Sequence, residues 1–231
     1  MRFERKYYVE NLAGSLIVKR FLLTDTMLKF HKAFPDRHIS SIYFDDIRHA
    51  SFYENIDGLF HKVKLRVRWY DQDPSQCFLE IKTKEGDQGN KLVHPFTTGY
   101  TTQRTVMEEL NKSRELFNLF PQLKDCTDGK FERLMTEKNK AVSFNSYKRA
   151  YLKSHVCNAR LTIDTQLFFL NLRKNFKEEI IHEIFELYEI KYQSENEQEV
   201  RLTELFLADM PARLTRISKF IQSHPDSLFL T

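Results

Sequence analysis

Lysine and arginine recur at every second position in several short segments of this chain, and that spacing limits what chemistry they can do. In Lys64-Leu-Arg66-Val-Arg68-Trp-Tyr70 the three cations fall on one face of a strand, with Leu65, Val67 and Trp69 on the other. Glu80-Ile-Lys82-Thr-Lys84 repeats the arrangement, with Leu79 and Ile81 opposite. Arg160, Thr162 and Asp164 share a face, as do Arg2, Glu4 and Lys6, and as do Glu189 and Lys191. An antiparallel sheet often keeps a polar face in water, and this accounts for any one of these strands taken alone. Neighbouring strands that set cations against cations are different, because like charges placed opposite one another destabilise a sheet unless an anion lies among them. A phosphate chain is such an anion: every unit is charged, and arginine forks bind phosphate oxygens in pairs. The acids of the set, Glu4, Glu80 and Glu189, are placed to pair with neighbours or to hold a divalent cation beside the phosphates.

The elements that must position these residues are read from periodicity and turn signals. Lys62–Tyr70, Cys77–Lys84 and Lys91–Thr97 alternate and are separated by clusters of Asp, Pro, Ser, Gly and Asn, which predicts an antiparallel meander. Residues 2–9, 39–45, 141–153, 159–165 and 180–192 read as further strands. Helices are predicted at about 12–32, 49–56, 103–118, 130–139, 196–209 and 213–223. About eight strands with five or six helices make an α+β chain dominated by antiparallel pairing, and closure of its sheet into a barrel would line the interior with Lys and Arg.

The bulk properties fit one domain over residues 1–231. Of the residues 41% are hydrophobic and 13% aromatic, with only 6 Gly and 6 Pro, so there is material for a core and no low-complexity segment. The formal charge of +4 balances 36 basic against 32 acidic residues, so the placement of charge matters more than its sum. Cys77, Cys126 and Cys157 are far apart and suggest neither a disulfide framework nor a zinc site. No stretch approaches the roughly 20 apolar residues needed to span a bilayer. Charges occupy the place of a signal peptide's apolar core, so a cytoplasmic location is expected. His31, His38, His49, His61 and His94 are scattered with no partner at ligand spacing, and Glu195–Glu204 reads as a solvated helix face. No recognition helix and no aromatic platform on the basic faces is seen, so nucleic acid is not expected as a partner.

The same residues resemble the VTC domain, the polyphosphate polymerase branch of the triphosphate tunnel metalloenzyme superfamily. The resemblance is carried in order by Arg2-Phe-Glu4-Arg-Lys6-Tyr7, Ser41-Ile-Tyr-Phe-Asp45, Lys64-Leu-Arg-Val-Arg-Trp-Tyr70, Leu79-Glu-Ile-Lys-Thr-Lys84, Tyr147-Lys-Arg-Ala-Tyr151, Arg160-Leu-Thr-Ile-Asp-Thr165, Glu189-Ile-Lys-Tyr192 and Ser218-Lys-Phe220. It implies a closed eight-stranded antiparallel tunnel flanked by helices, in which Lys and Arg bind ATP or another triphosphate and the growing inorganic polyphosphate chain. Arg66, Arg68, Arg149 and Arg160 would hold the reacting triphosphate. Lys6, Lys64, Lys82, Lys84, Lys91, Lys191, Arg216 and Lys219 would bind phosphates around it, although the family places a lysine where Arg216 stands. Glu189, with Glu4, would hold Mn2+ or Mg2+.

Two departures from the family pattern matter. The wider superfamily often begins with an ExExK strand, and here Arg2 replaces the first acid, which removes one metal ligand and weighs against simple triphosphatase chemistry. Membrane segments and the phosphate-sensing domain of the eukaryotic complex are not seen, and a membrane-protein partner is left unspecified. Three functions stay open on this reading: a polyphosphate-synthesising transferase, a triphosphatase of the same fold, and a tunnel that binds polyphosphate or a phosphorylated ligand without turnover.

Overall fold

The computed structural model describes residues 2–86, 88–125, 129–172, 185–193 and 195–224. The chain runs from β1 (Arg2–Val9) through helix α1 (Leu12–Thr24) into a long β2 (Phe30–Asp45). Helix α2 (Ala50–Ile56) leads to the meander β3 (His61–Tyr70), β4 (Asp73–Glu85) and β5 (Gln88–Thr97). Helices α3 (Gln103–Lys112) and α4 (Leu116–Leu119), a 3-10 turn (Pro121–Asp125) and helix α5 (Gly129–Glu137) precede β6 (Lys140–Ser154) and β7 (Ala159–Asn171). Then come β8 (Glu186–Gln193), α6 (Glu197–Ala208), β9 (Arg213–Thr215) and α7 (Lys219–Gln222). No helix among the described residues is long and apolar enough to cross a membrane.

The strands form a nine-stranded sheet in the order β5-β4-β3-β2-β6-β7-β8-β1-β9, so the α+β class is as expected. The expected count of eight strands is corrected to nine, and among the described residues β5 and β9 are edges with no ladder joining them into a barrel. The extra strand comes from a segment expected to be helical. Arg213–Thr215 follows Pro211 and pairs with Lys6–Tyr8 on the outer side of β1, so only Lys219–Gln222 of the expected helix forms. Helix α1 is shorter than expected, because the Asp25 carboxylate accepts the backbone N–H groups of Met27, Leu28 and Lys29, and Lys29 turns left-handed. That releases residues from Phe30 onward to begin β2 nine positions earlier than Ile39. The helix expected over 103–118 breaks at Ser113, whose backbone is extended. The first part of the strand expected at 180–192 lies outside the described residues.

The chain divides into two compact units. One comprises the described residues of Met1–Arg37, Tyr147–Leu167 and His182–Ile217; the other, those of His38–Ser146, Phe168–Ile181 and Ser218–Thr231. In the first, the apolar faces of β1, β7 and β8 (Tyr7, Leu161, Ile163, Tyr188, Ile190, Tyr192) pack on Val18 of α1 and on Phe206 and Leu207 of α6. In the second, Leu65, Val67 and Trp69 of β3 and Leu79 and Ile81 of β4 pack with Val106, Leu110, Leu116 and Phe120. These are the residues that alternation assigned to the face opposite the cations, and burying them leaves the cations only the other face.

The β4–β5 turn holds this register, and Gly86 is its strained point. Its φ is +57°, a Cβ there would lie 2.7 Å from Cε2 of Phe60, and its N–H donates to the Phe60 carbonyl at 2.8 Å. Gly86→Ala is expected to cost about 1–2 kcal/mol, nearly all from the left-handed backbone, since the exposed Phe60 ring can turn aside. Urea unfolding should show a lower midpoint at unchanged slope; an unchanged midpoint would mean that the turn relaxes freely.

Candidate phosphate-binding site

In the second unit the register sets Lys64 of β3, Lys82 of β4 and Lys91 of β5 side by side across three adjacent strands. The neighbouring row on the same face is Tyr43, Arg66, Glu80 and Val93. Cations therefore stand opposite cations, as the alternation implied. Lys64 Nζ donates to Ser218 Oγ at 3.2 Å and lies 5.7 Å from the centroid of the Phe220 ring, while Lys82, Lys84 and Lys91 are exposed.

A buried carboxylate of β4 sits among these cations. Glu80 is 4% exposed, accepts Arg66 Nε at 2.7 Å and a second bond from Arg66 NH2, and lies 3.6 Å from Arg68 and 3.1 Å from Lys91. Burial works to raise its pKa, but the charges of Arg66, Arg68 and Lys91 overcome burial and hold the carboxyl down to about 2. Tyr43 shows the same field. Burial would raise its hydroxyl, yet Arg66, which donates to it at 3.0 Å, together with Arg68 and Lys219, pulls it below the ordinary range. The charge of Lys219 therefore also acts on the Tyr43 hydroxyl.

Because the folded pKa of Glu80 is depressed, its contribution to stability is full above its ordinary value of 4.5 and is lost as pH falls toward 2. Glu80→Gln is expected to cost roughly 3 kcal/mol at neutral pH and to flatten stability against pH between about 4.5 and 2. Thermal unfolding at pH 3, 5 and 7 reads this directly, and a variant with the parent's slope would remove Glu80 as the counter-charge.

The first unit carries a second polar face. Two rows cross it: Arg160, Lys191 and Glu4, and beside them Thr162, Glu189, Lys6 and Thr215. Charges alternate here. Lys6 lies 3.1 Å from Glu4 and 3.8 Å from Glu189, and Lys191 lies 3.6 Å from Glu4 and bonds Glu189. Lys6 also donates to the Ile217 carbonyl at 3.3 Å. Arg160 is exposed and borders, with Asn158, Lys191, Tyr192 and Gln193, a cavity of about 200 Å³. Arg149 behaves differently: its fork is closed on the fully buried Asp164, Nε at 2.6 Å and NH2 at 2.7 Å, over the Tyr147 ring. Burial would weaken its proton affinity, but Asp164 reverses this and locks the charge in place. Arg216 is exposed just after β9.

The VTC domain profile matches residues 1–225. This chain belongs to the VTC domain family. The VTC domain is also similar to solved structures at 14% identity. One is a candidate adenylate cyclase from Vibrio parahaemolyticus, covering 96% of this chain and 97% of that one with a TM-score of 0.48. Another is the PH1012 protein of Pyrococcus horikoshii OT3, covering 91% and 90% with a TM-score of 0.46. A conserved hypothetical protein of Pyrococcus furiosus covers 96% and 99% with a TM-score of 0.46. No curated protein matches it.

Among the described residues of this VTC domain no group of three or more His, Cys, Asp or Glu is arranged to hold a metal. Glu4 and Glu189 supply two carboxylates within reach of the same two ammonium groups. Two carboxylates completed by phosphate oxygens are an ordinary donor set for Mg2+ or Mn2+.

Two features of the VTC domain escaped sequence reasoning in part. Asp164 was placed on the face of Arg160, yet its partner is Arg149, fifteen residues earlier. Two of the scattered histidines meet others from far along the chain: His31 stacks on His155 with centroids 3.7 Å apart, and the buried His49 shares a 3.0 Å hydrogen bond with His224. Those partners lie over a hundred residues away, where spacing carries no signal. Cys77 is buried and free, Cys157 is half-buried and free, and Cys126 lies outside the described residues.

Proposed function

We propose that this VTC domain, acting as one domain over residues 1–231, is a polyphosphate polymerase that transfers the γ-phosphate of ATP to a growing chain. The observation that carries the reading is the row Lys64–Lys82–Lys91 beside Arg66 and Arg68. Five cations share this face with Glu80 among them, Asp45 at the end of β2 being taken up by Lys138, and a surplus of that kind in adjacent strands is stabilised by a polyanion.

The reaction asks for positioning and charge neutralisation rather than covalent help from the protein. Arg66, Arg68, Arg149 and Arg160 bind phosphoryl oxygens. Lys6, Lys64, Lys82, Lys84, Lys91, Lys191, Arg216 and Lys219 neutralise and orient the remainder of the phosphate chain. A terminal oxygen of the acceptor attacks the γ-phosphorus in line; the bond from that phosphorus to the bridging oxygen breaks, and ADP leaves with the electron pair. Mg2+ or Mn2+ held by Glu189 and Glu4, when bound, supplies Lewis-acid polarisation of the phosphate oxygens.

The test is incubation of the purified protein with ATP and Mn2+ or Mg2+, reading polyphosphate, ADP and free phosphate together. Polymer formed in step with ADP is the expected result. Free phosphate without polymer would make the protein a triphosphatase, and binding without turnover would make it a phosphate-binding module.

A further inference from the structure

Tyr43 of β2 is 5% exposed and stands opposite Arg66 of β3, on the face that carries the cations. Arg66 NH1 donates to its hydroxyl at 3.0 Å. A phenol hydroxyl accepts hydrogen bonds through its lone pairs and gives one through its proton. The bond from Arg66 occupies an acceptor position and leaves the proton still to be placed. Among the described residues no acceptor takes it, since Arg66 is the one hydrogen-bond partner of this side chain.

The surroundings explain why. The ring packs with Phe52 of α2, Val142 of β6 and Phe220 of α7, and the Phe220 centroid lies 5.2 Å away. The charges acting on the hydroxyl are Arg66 and Arg68 of β3 and Lys219 of α7, and arginine and lysine have donors only. Glu80 of β4 lies beyond Arg66 in the same row and takes Arg66 Nε and NH2. A buried donor without an acceptor is costly. What would satisfy it here is an acceptor that also suits three cations, and a phosphoryl oxygen is both.

We propose that the Tyr43 hydroxyl is a further phosphate ligand, donating its hydrogen bond to a phosphoryl oxygen that Arg66, Arg68 and Lys219 attract. This rests on the reading that the cationic face of the second unit binds phosphate, and it adds a neutral donor to that face. The O–H bond stays intact, so no proton changes hands. The competing account gives the hydroxyl one task, to accept from Arg66. Under that account Tyr43→Phe leaves Arg66 held by its two bonds to Glu80, and phosphate affinity does not move.

Calorimetric titration of the full chain with inorganic tripolyphosphate, for the parent and Tyr43→Phe from pH 7 to pH 10, separates the two. The variant keeps the ring against Phe220 and deletes only the oxygen. At pH 7 it should bind about tenfold more weakly, the loss of one charge-assisted hydrogen bond, while its melt without ligand stays close to the parent's. Burial works to raise the pKa of the phenol, but Arg66, Arg68 and Lys219 bring it below its ordinary 10.0. The gap between parent and variant should therefore close as pH rises, because a phenolate has no proton to give. The lysines of the face titrate in both proteins and leave the ratio unchanged. An affinity within twofold of the parent's at pH 7 would overturn the ligand role and leave the phosphate face standing. A tenfold gap that persists at pH 10 would assign the loss to the placement of Arg66 and overturn it as well. A parent that does not bind tripolyphosphate would sink the phosphate face and this ligand together.

Discussion

Arg66→Lys is expected to lower turnover by about a hundredfold or more while the protein stays folded. The substitution keeps a positive charge in the Tyr43–Arg66–Glu80 row, and Glu80 retains Arg68 and Lys91 besides. What it removes is the planar fork. A lysine at this place can satisfy Glu80 as a point charge but cannot give paired hydrogen bonds to phosphoryl oxygens as well. A donor aimed at developing charge is worth more to the transition state than to the bound substrate, so kcat should fall more than KM rises. Steady-state kinetics of ADP release with a parallel thermal melt gives both numbers. Full activity would show that Arg66 serves Glu80 alone.

Asp164→Asn should be among the most destabilising single changes in the first unit, at about 3–5 kcal/mol. Asp164 is fully buried and takes both ends of the Arg149 fork, and the Arg149 side chain is itself only 16% exposed. Neutralising the acid leaves a guanidinium in a poorly solvated place with one amide oxygen in exchange. In a chain of this length each kcal/mol moves the melting temperature by roughly 2–4 °C. The size of the drop measures the pair, and the response to tripolyphosphate measures the site. If Arg149 is a phosphate ligand, the added anion takes the place of the lost carboxylate and recovers part of the drop beyond its effect on the parent. A melt unchanged from the parent would show that the pair contributes nothing net.

What was legible in the sequence was whatever depends on neighbours along the chain. Alternation in Lys64–Tyr70 and Leu79–Lys84 placed the apolar set inward and the cations outward, because a one-residue slip would invert both faces. The side-by-side row of Lys64, Lys82 and Lys91 needed the β4–β5 register, which the turn at Gly86 fixes. Glu80 was visible as an acid among cations, but its three partners lie fourteen, twelve and eleven residues away and meet only across strands. Beyond the reach of local pattern were the early start of β2, set by the Asp25 carboxylate capping the turn before it, and β9, whose three residues pair with the open edge of β1.

The most direct test of the account is whether the Lys64–Lys82–Lys91 face holds a phosphate chain. Purified protein titrated with tripolyphosphate should bind it saturably, and more weakly as salt rises. The triple variant Lys64→Gln, Lys82→Gln, Lys91→Gln should lose about a hundredfold in affinity at an unchanged fold, since each lysine removes a charge-assisted hydrogen bond. A triple variant that binds as tightly as the parent would contradict the account, because the cations on which it rests would then be a solvated sheet face.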